Sequence, residues 1–286
     1  MHSLLSSISE GRTLNIAHRG ARSIAPENTL AAALKALQSG ADLWELDVVM
    51  TADGEPVVIH DKDLSRTSNV ESVFPSRRPW LVHEFSLEEI RRLDFGSWFK
   101  AMDPFGQIAA GVVTENELKD YEGEPAPTLR EALQFTLAHK WYVNVEIKDL
   151  RGIAGHQTIV EKVVEAVERL NMTNRVLISS FNHSYLERVK AANPSLPTGV
   201  LVDRPHWDPA RLLESLQADC YHPRLFALKT ADIHILREQG KHVLVWVVND
   251  EAGMRSLVRK GVGGIFTDFP QLLCPIIGRE KESLNT

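Results

Sequence analysis

Glu45 and Asp47 stand two residues apart in Leu43 to Met50, a run that is otherwise apolar. Side chains alternate along a strand, so the two carboxylates share one face while Trp44, Leu46 and Val48 take the other. Asn144-Val145-Glu146-Ile147-Lys148 repeats the device, with Glu146 and Lys148 two apart. His18-Arg19-Gly20 follows directly on the apolar run Leu14 to Ala17. Carboxylates crowded together repel unless a cation neutralises them. Hard oxygen donors of this kind select Mg²⁺ or Ca²⁺, and no Cys/His spacing typical of zinc is present. Arg19 carries a fixed charge on a planar fork of donors that matches phosphate oxygens. His18 can pass protons near neutrality, Gly20 lets backbone approach a ligand, and Lys148 can offset carboxylate charge or hold phosphate. The chemistry these residues suit is a metal-assisted reaction at a phosphate group. Each fragment alone has a plainer origin: an edge strand's solvated face, a surface turn, a lysine paired to a carboxylate. Their convergence on strand ends is what argues for a site.

A second histidine is brought in by a turn. Thr51-Ala52-Asp53-Gly54-Glu55-Pro56 links two β-like runs, and Asp-Gly there signals a two-residue type I′ turn. With Asp53-Gly54 at its centre, Ala52 faces Glu55, Val49 faces Val58 and Asp47 faces His60. Directly opposed residues share a face, so His60 is expected beside Asp47. A β-bulge would shift this register by one.

The elements that must carry these residues alternate along the chain. Strands are expected at Leu14–Ala17, Leu43–Met50, Trp141–Ile147, Val176–Ser180, Thr198–Val202, Asp219–His222, Val243–Val248 and Gly264–Thr267. Helical patterns with start and stop signals lie between them. Thr29 to Ser39 stops at Gly40, and Thr128 with Glu131 forms a capping box. Asn182 precedes the helix Tyr185 to Ala191, Thr230 opens one that stops at Gly240, and Asp250 opens one that stops at Gly261. Eight strand–helix units predict a (β/α)8 TIM barrel, for which 286 residues suffice. A doubly wound open sheet is the structural alternative. Residues 61–127 hold no good barrel strand, only a short Ser86 to Leu93 helix and several X-Pro breaks. They are expected to form a small insertion after the second strand, inside one domain spanning 1–286. Arg279 to Thr286 reads as a frayed polar tail.

Composition narrows the partners. A net charge of -6 disfavours nucleic acid, which demands a basic surface. No apolar run approaches the roughly 20 residues of a membrane span, and Met1 to Gly11 lacks a signal-peptide apolar region, so a cytoplasmic protein without a stable membrane anchor is expected. Cys220 and Cys274 read as buried small hydrophobes rather than a disulfide framework. Oligomeric state is not legible.

The ordered motifs resemble the glycerophosphodiester phosphodiesterase family. They run Ala17-His18-Arg19-Gly20, Pro26-Glu27-Asn28-Thr29, Glu45-Leu46-Asp47-Val48, Asp53-Gly54 and Val58-Ile59-His60-Asp61. Leu64-Ser65-Arg66-Thr67, Leu93 to Phe99, Pro127-Thr128-Leu129, Val145 to Lys148, Ser180 to His183 and Phe266 to Pro270 continue the match. The resemblance implies a small-molecule glycerophosphodiester substrate, hydrolysed to an alcohol and sn-glycerol 3-phosphate with a divalent cation, Mg²⁺ or Ca²⁺. It further implies catalytic His18 and His60, metal-binding Glu45, Asp47 and Glu146, and substrate-binding Arg19, Lys148 and Trp246. His18 as base and His60 as acid follow from the resemblance alone. Trp246 reads equally as a core tryptophan. Ser68 and Gly263 depart from the family pattern. The tracts Ser68 to Val82 and Ala101 to Glu124 look longer and less regular than expected, which bears on substrate choice. Two other readings compete: the same site acting on a lysophospholipid or another lipid phosphodiester, and a non-catalytic phosphate-binding barrel.

Overall fold

The computed structural model describes residues 4–9 and 11–278; the expected polar tail, Arg279 to Thr286, lies outside the described residues. Its strands are β1 (Leu14–Ala17), β2 (Leu43–Met50), β3 (Pro56–Val58), β4 (Tyr142–Ile147), β5 (Val176–Ser180), β6 (Thr198–Val202), β7 (Cys220–Pro223), β8 (His242–Val245) and β9 (Gly264–Thr267). All but β3 are parallel, in the order β1-β2-β4-β5-β6-β7-β8-β9, and β9 pairs back onto β1. This closes an eight-stranded barrel with helices between strands and excludes the open doubly wound sheet.

The strand faces divide as side-chain alternation requires. Trp44 points outward, where its indole donates to Thr136 and packs edge-on to Phe135 of helix Leu129–Ala138. Inside, Leu14, Ile16, Leu43, Leu177, Cys220, Leu244 and Phe266 fill the barrel below the site. Thr128 and Glu131 form the expected capping box. Thr29 caps helix Leu30–Gln38, and Asp250 caps Glu251–Lys260, which ends at left-handed Gly261. Three strands differ from the expectation in their limits, and the third barrel strand starts at Tyr142 rather than Trp141. The seventh barrel strand ends at Val245, so Trp246 stands just beyond it, and the sixth runs Cys220–Pro223.

The hairpin register also differs. Val48 pairs with Val58 and Met50 with Pro56, so Asp47 lies opposite Ile59, not His60. The loop has three residues, closed by Gly54 N–H donating to Thr51 O (3.1 Å) and Thr51 N–H to Glu55 O (3.1 Å). Gly54 alone takes the left-handed conformation, φ +78°, which is a type I turn followed by a glycine bulge. β3 pairs with the end of β2 that projects past β1, since β1 pairs only as far as Trp44.

Residues 61–127 contain short helices at Val70–Val73, Leu87–Ile90, Trp98–Met102 and Glu115–Tyr121 and no named strand. Val70, Trp80, Val82, Phe85, Ile90, Leu93 and Phe95 pack into the barrel's own core. Phe99, Val113, Leu118 and Tyr121 form a smaller cluster against Ala25 and Ala32. We take the segment as an insertion within one domain, because most of its apolar residues have no core apart from the barrel's.

Candidate active site

The barrel's C-terminal end gathers charge. Glu45 and Asp47 point inward from β2, 3% and 1% exposed, and β4 sets Glu146 beside Asp47 in register. One oxygen of each of the three carboxylates lies within 4.8 Å of the others. Lys148, one residue past β4, reaches back into this group: Nζ donates to Glu146 at 2.7 Å and to Asp47 at 3.2 Å. Arg19 follows β1 in a left-handed conformation, φ +57°. There its backbone N–H donates to Glu45 (2.8 Å), while its guanidinium pairs with Asp47 (Nε, 3.3 Å) and Glu27 (2.9 Å). Asn28 is left-handed too and clamps Asp47 from both sides, donating Nδ2 to the carboxylate (2.9 Å) and accepting its backbone N–H (3.2 Å).

These contacts set the protonation states. Burial pushes the Glu45 carboxyl well up, and its neighbours Asp47 and Glu146 add to this; burial raises Glu146 as well. Burial would also raise Asp47, but Lys148, Arg19 and His60 outweigh it and hold the carboxylate far below its ordinary range. Lys148 is disfavoured by burial, yet Asp47 and Glu146 keep it charged. The group is a buried, oxygen-only donor set whose members raise one another's affinity for a positive charge. That fits a hard divalent cation, which Glu45, Asp47 and Glu146 could hold.

Each histidine is oriented by an aspartate. His18 Nδ1 lies 2.7 Å from Asp268, which follows β9 and is itself held by Asn249 (2.7 Å). Burial, then the neighbouring Arg19 charge, lowers the His18 pKa, so the ring is neutral near pH 7. His60 Nδ1 lies 2.6 Å from Asp61, whose other oxygen accepts from Arg66. His60 reaches the site although the pairing expected with Asp47 is absent, because β3 ends at Val58 and the ladder's last bond is Ile59 N–H to Asp47 O. The chain is then free to turn the ring inward.

His18, Arg19, Glu45, His60, Glu146, Lys148 and Trp246 line one cavity of about 80 Å³, together with Asn144, Ser179 and Phe181. Asp47 is not in its wall; it lies beneath, under Arg19 and Lys148. Trp246 is half-buried, donates its indole N–H to His222 O (2.8 Å) and stands perpendicular to Phe181. Strand period and residue type alone assign no role to Asp61, Asp268, Asn28 or Glu27. Glu27 accepts from Arg19 and Arg66 and forms an ion pair with Arg22 (2.9 Å). Burial opposes its ionisation, but the Arg66 hydrogen bond and the three guanidinium charges hold it at about 2. Two of these residues carried a readable signal: Asp61 adjoins His60, and Asp268 is a carboxylate at the C-terminal end of the last strand.

Residues 18–272 match the glycerophosphoryl diester phosphodiesterase family. The chain is 35% identical over 266 residues to a glycerophosphodiester phosphodiesterase of Caldanaerobacter subterraneus, covering 93% of this chain and 98% of that one. It is 33% identical over 257 residues to another from Bacillus altitudinis, covering 89% and 94%. Among solved structures, an Oleispira antarctica phosphodiesterase in complex with the product sn-glycerol-3-phosphate superposes with a TM-score of 0.75 at 27% identity, covering 94% and 98%. A glycerophosphodiester phosphodiesterase from Agrobacterium tumefaciens gives 0.71 at 27%, covering 91% and 98%.

Proposed function

The chain belongs to the glycerophosphoryl diester phosphodiesterase family, and from that premise we propose how its own residues cleave the substrate. It is an enzyme that hydrolyses glycerophosphodiesters to an alcohol and sn-glycerol 3-phosphate. The observation that carries the mechanism is the convergence of His18, His60, Arg19, Lys148, Glu45 and Glu146 on one cavity, with Asp47 directly beneath.

Glu45, Asp47 and Glu146 would hold a divalent cation, Mg²⁺ or Ca²⁺. Bound there, such an ion supplies Lewis-acid stabilisation of charge on a phosphoryl oxygen. Arg19 and Lys148 face the same space, and both stay charged across the physiological range; they stabilise the negative charge that grows at phosphorus. His18, neutral and with Nδ1 committed to Asp268, offers its Nε2 lone pair to a hydroxyl proton. The deprotonated oxygen forms a new P–O bond. That oxygen belongs to water, or to the glycerol 2-hydroxyl when the reaction passes through a cyclic phosphate; in that case water then opens the ring, with His60 taking its proton and His18 returning one to the 2-oxygen as its bond to phosphorus breaks. His60 gives its proton to the alcohol oxygen as the second P–O bond breaks, and the alcohol leaves neutral. Trp246 and Phe181 offer the glycerol carbons an apolar wall.

No helix among the described residues is long and apolar enough to cross a membrane. We propose a cytoplasmic enzyme acting on small diesters in solution. The test is glycerol 3-phosphate release from glycerophosphocholine by purified protein, with and without chelator, beside His18→Ala and His60→Ala. Each variant is expected to lose at least about 100-fold in kcat, the lower range for general acid–base catalysis. Full turnover in either variant, or in excess chelator, sinks the scheme.

A further inference from the structure

A second cavity, of about 340 Å³, opens beside the first. His60, Glu146, Lys148 and Phe181 line both, so the two cavities adjoin across these four side chains, whereas His18, Arg19, Glu45 and Trp246 line only the inner one. Its volume is at the low end for small-molecule sites. Its walls are mostly apolar: Val49 and Met50 from the end of β2, Val82 from the insertion, Leu150 and Ile153 from the loop after β4, and Phe181 after β5. An open apolar space on the far side of the proposed acid is a place for the leaving group. The departing oxygen has to lie within reach of His60, and His60 stands on the shared wall.

The charged groups of this outer cavity say what kind of alcohol it takes. Asp61 is engaged by His60 and Arg66, Asp149 by Arg151 and Asn182, and Glu146 by Lys148. Every acid in the wall therefore already has a partner. A cationic alcohol such as choline would find one aromatic face, Phe181, and no uncommitted carboxylate. It would also meet Lys62 in the cavity wall, an exposed ammonium of like charge. An uncharged alcohol with an apolar body meets apolar wall and gains by desolvation.

We propose that the outer cavity receives the leaving alcohol and selects an uncharged, apolar one over a quaternary ammonium alcohol. This rests on the phosphodiesterase reading above and adds the substrate class to it. The insertion takes part in the selection through Val82 and His83, both in the cavity wall.

A matched pair of diesters tests the inference: glycerophosphocholine and the glycerophosphodiester of 3,3-dimethylbutanol, choline's uncharged isostere, each followed by glycerol 3-phosphate release with Mg²⁺ or Ca²⁺ present. The 3,3-dimethylbutyl diester should show a kcat/KM at least about tenfold higher, although choline is the chemically better leaving group. A methyl-to-hexyl series should rise as well, since each buried methylene is worth up to about fourfold. Ile153→Asp, which adds an unpaired carboxylate to the wall, should reverse the preference toward choline, while Ile153→Leu keeps it. Equal or better hydrolysis of the choline diester by the unaltered enzyme overturns the inference. So does an Ile153→Asp enzyme with an unchanged ratio. Should that variant fail to fold, the ratio in the unaltered enzyme decides by itself. Hydrolysis of no diester at all would instead overturn the phosphodiesterase reading, and this inference with it.

Discussion

Asp268→Asn isolates the orientation of His18 from its presence. Asp268 receives Asn249 Nδ2–H on one oxygen (2.7 Å) and faces His18 Nδ1 with the other (2.7 Å). In the asparagine variant the amide oxygen stays toward the Asn249 donor, so the NH₂ end is turned on His18 Nδ1. The ring must then accept there and carry its proton on Nε2, which removes the lone pair a base needs. The expected loss is that of a general base, about 10²- to 10⁴-fold in kcat, with KM within about threefold. Stability changes less. Burial raises the Asp268 pKa, but the His18 bond and the His18 and Arg22 charges outweigh this and hold it at about 2. Against an ordinary aspartate near 3.9, the ionised form adds at most about 2.5 kcal/mol to folding. Because the folded value is the depressed one, that stability is present above about pH 4 and lost as pH falls toward 2. Asparagine should therefore lower the melting temperature by no more than about 5–10 °C. Steady-state release of glycerol 3-phosphate and a melting curve on the same preparation measure both. A folded Asp268→Asn enzyme with kcat within threefold of the unaltered protein would refute His18 as the oriented base.

The carboxylate cluster predicts a cation-dependent melting shift. A divalent ion at 100 times its Kd should add about 2.7 kcal/mol; Glu146→Gln should abolish that shift yet stay folded, since it removes one of three mutually repelling acids, and an unchanged shift on scanning fluorimetry would count against these ligands. His222, fully buried in the barrel, has its pKa pushed down to about 3 by burial alone. Its neutral form is the folded one, so stability is full above about pH 6.5 and falls by about 1.4 kcal/mol per pH unit down to 3; urea titrations at pH 7 and 5 should show the slope flattened in His222→Leu. A Cβ at Gly199 would sit 2.3 Å from His222 Cε1. Gly199→Ala should thus cost about 1–3 kcal/mol, and His222→Ala in the same chain should recover part of it, a coupling that additive losses would disprove.

Much of the barrel was legible because its strands are short apolar runs bounded by helix caps and stops. The hairpin was not. Asp-Gly is a strong signal for two left-handed residues, but Asp53 is held otherwise by contacts that a local reading cannot contain. Thr51 donates its hydroxyl to the Asp53 carboxylate (2.5 Å) and accepts Glu55 N–H (2.8 Å), and Leu87 of the insertion donates to Asp53 from 34 residues away. The turn closes one residue early and the register slips by one. His60 meets the carboxylates by leaving the ladder rather than by its place in it.

The same limit explains which site residues sequence reasoning reached. Glu45, Asp47, Glu146 and Lys148 follow from strand period, since a parallel register sets Asp47 beside Glu146 without help from any loop. Glu27, Asp61 and Asp268 come from loops, where nothing periodic announces a partner. Yet they decide how the readable residues behave. Arg19 is left-handed and nearly buried, and a free guanidinium there would collapse onto Glu45. Glu27 takes one of its donors and Asp47 pairs with another, which leaves the rest of a five-donor fork aimed by its anchored end. Asp61 and Asp268 do the same for the histidines, engaging Nδ1 so that Nε2 faces the cavity. Strand period assembles the charges, and loop carboxylates fix the direction in which each acts. A fold match alone therefore carries the location of this chemistry further than it carries its geometry.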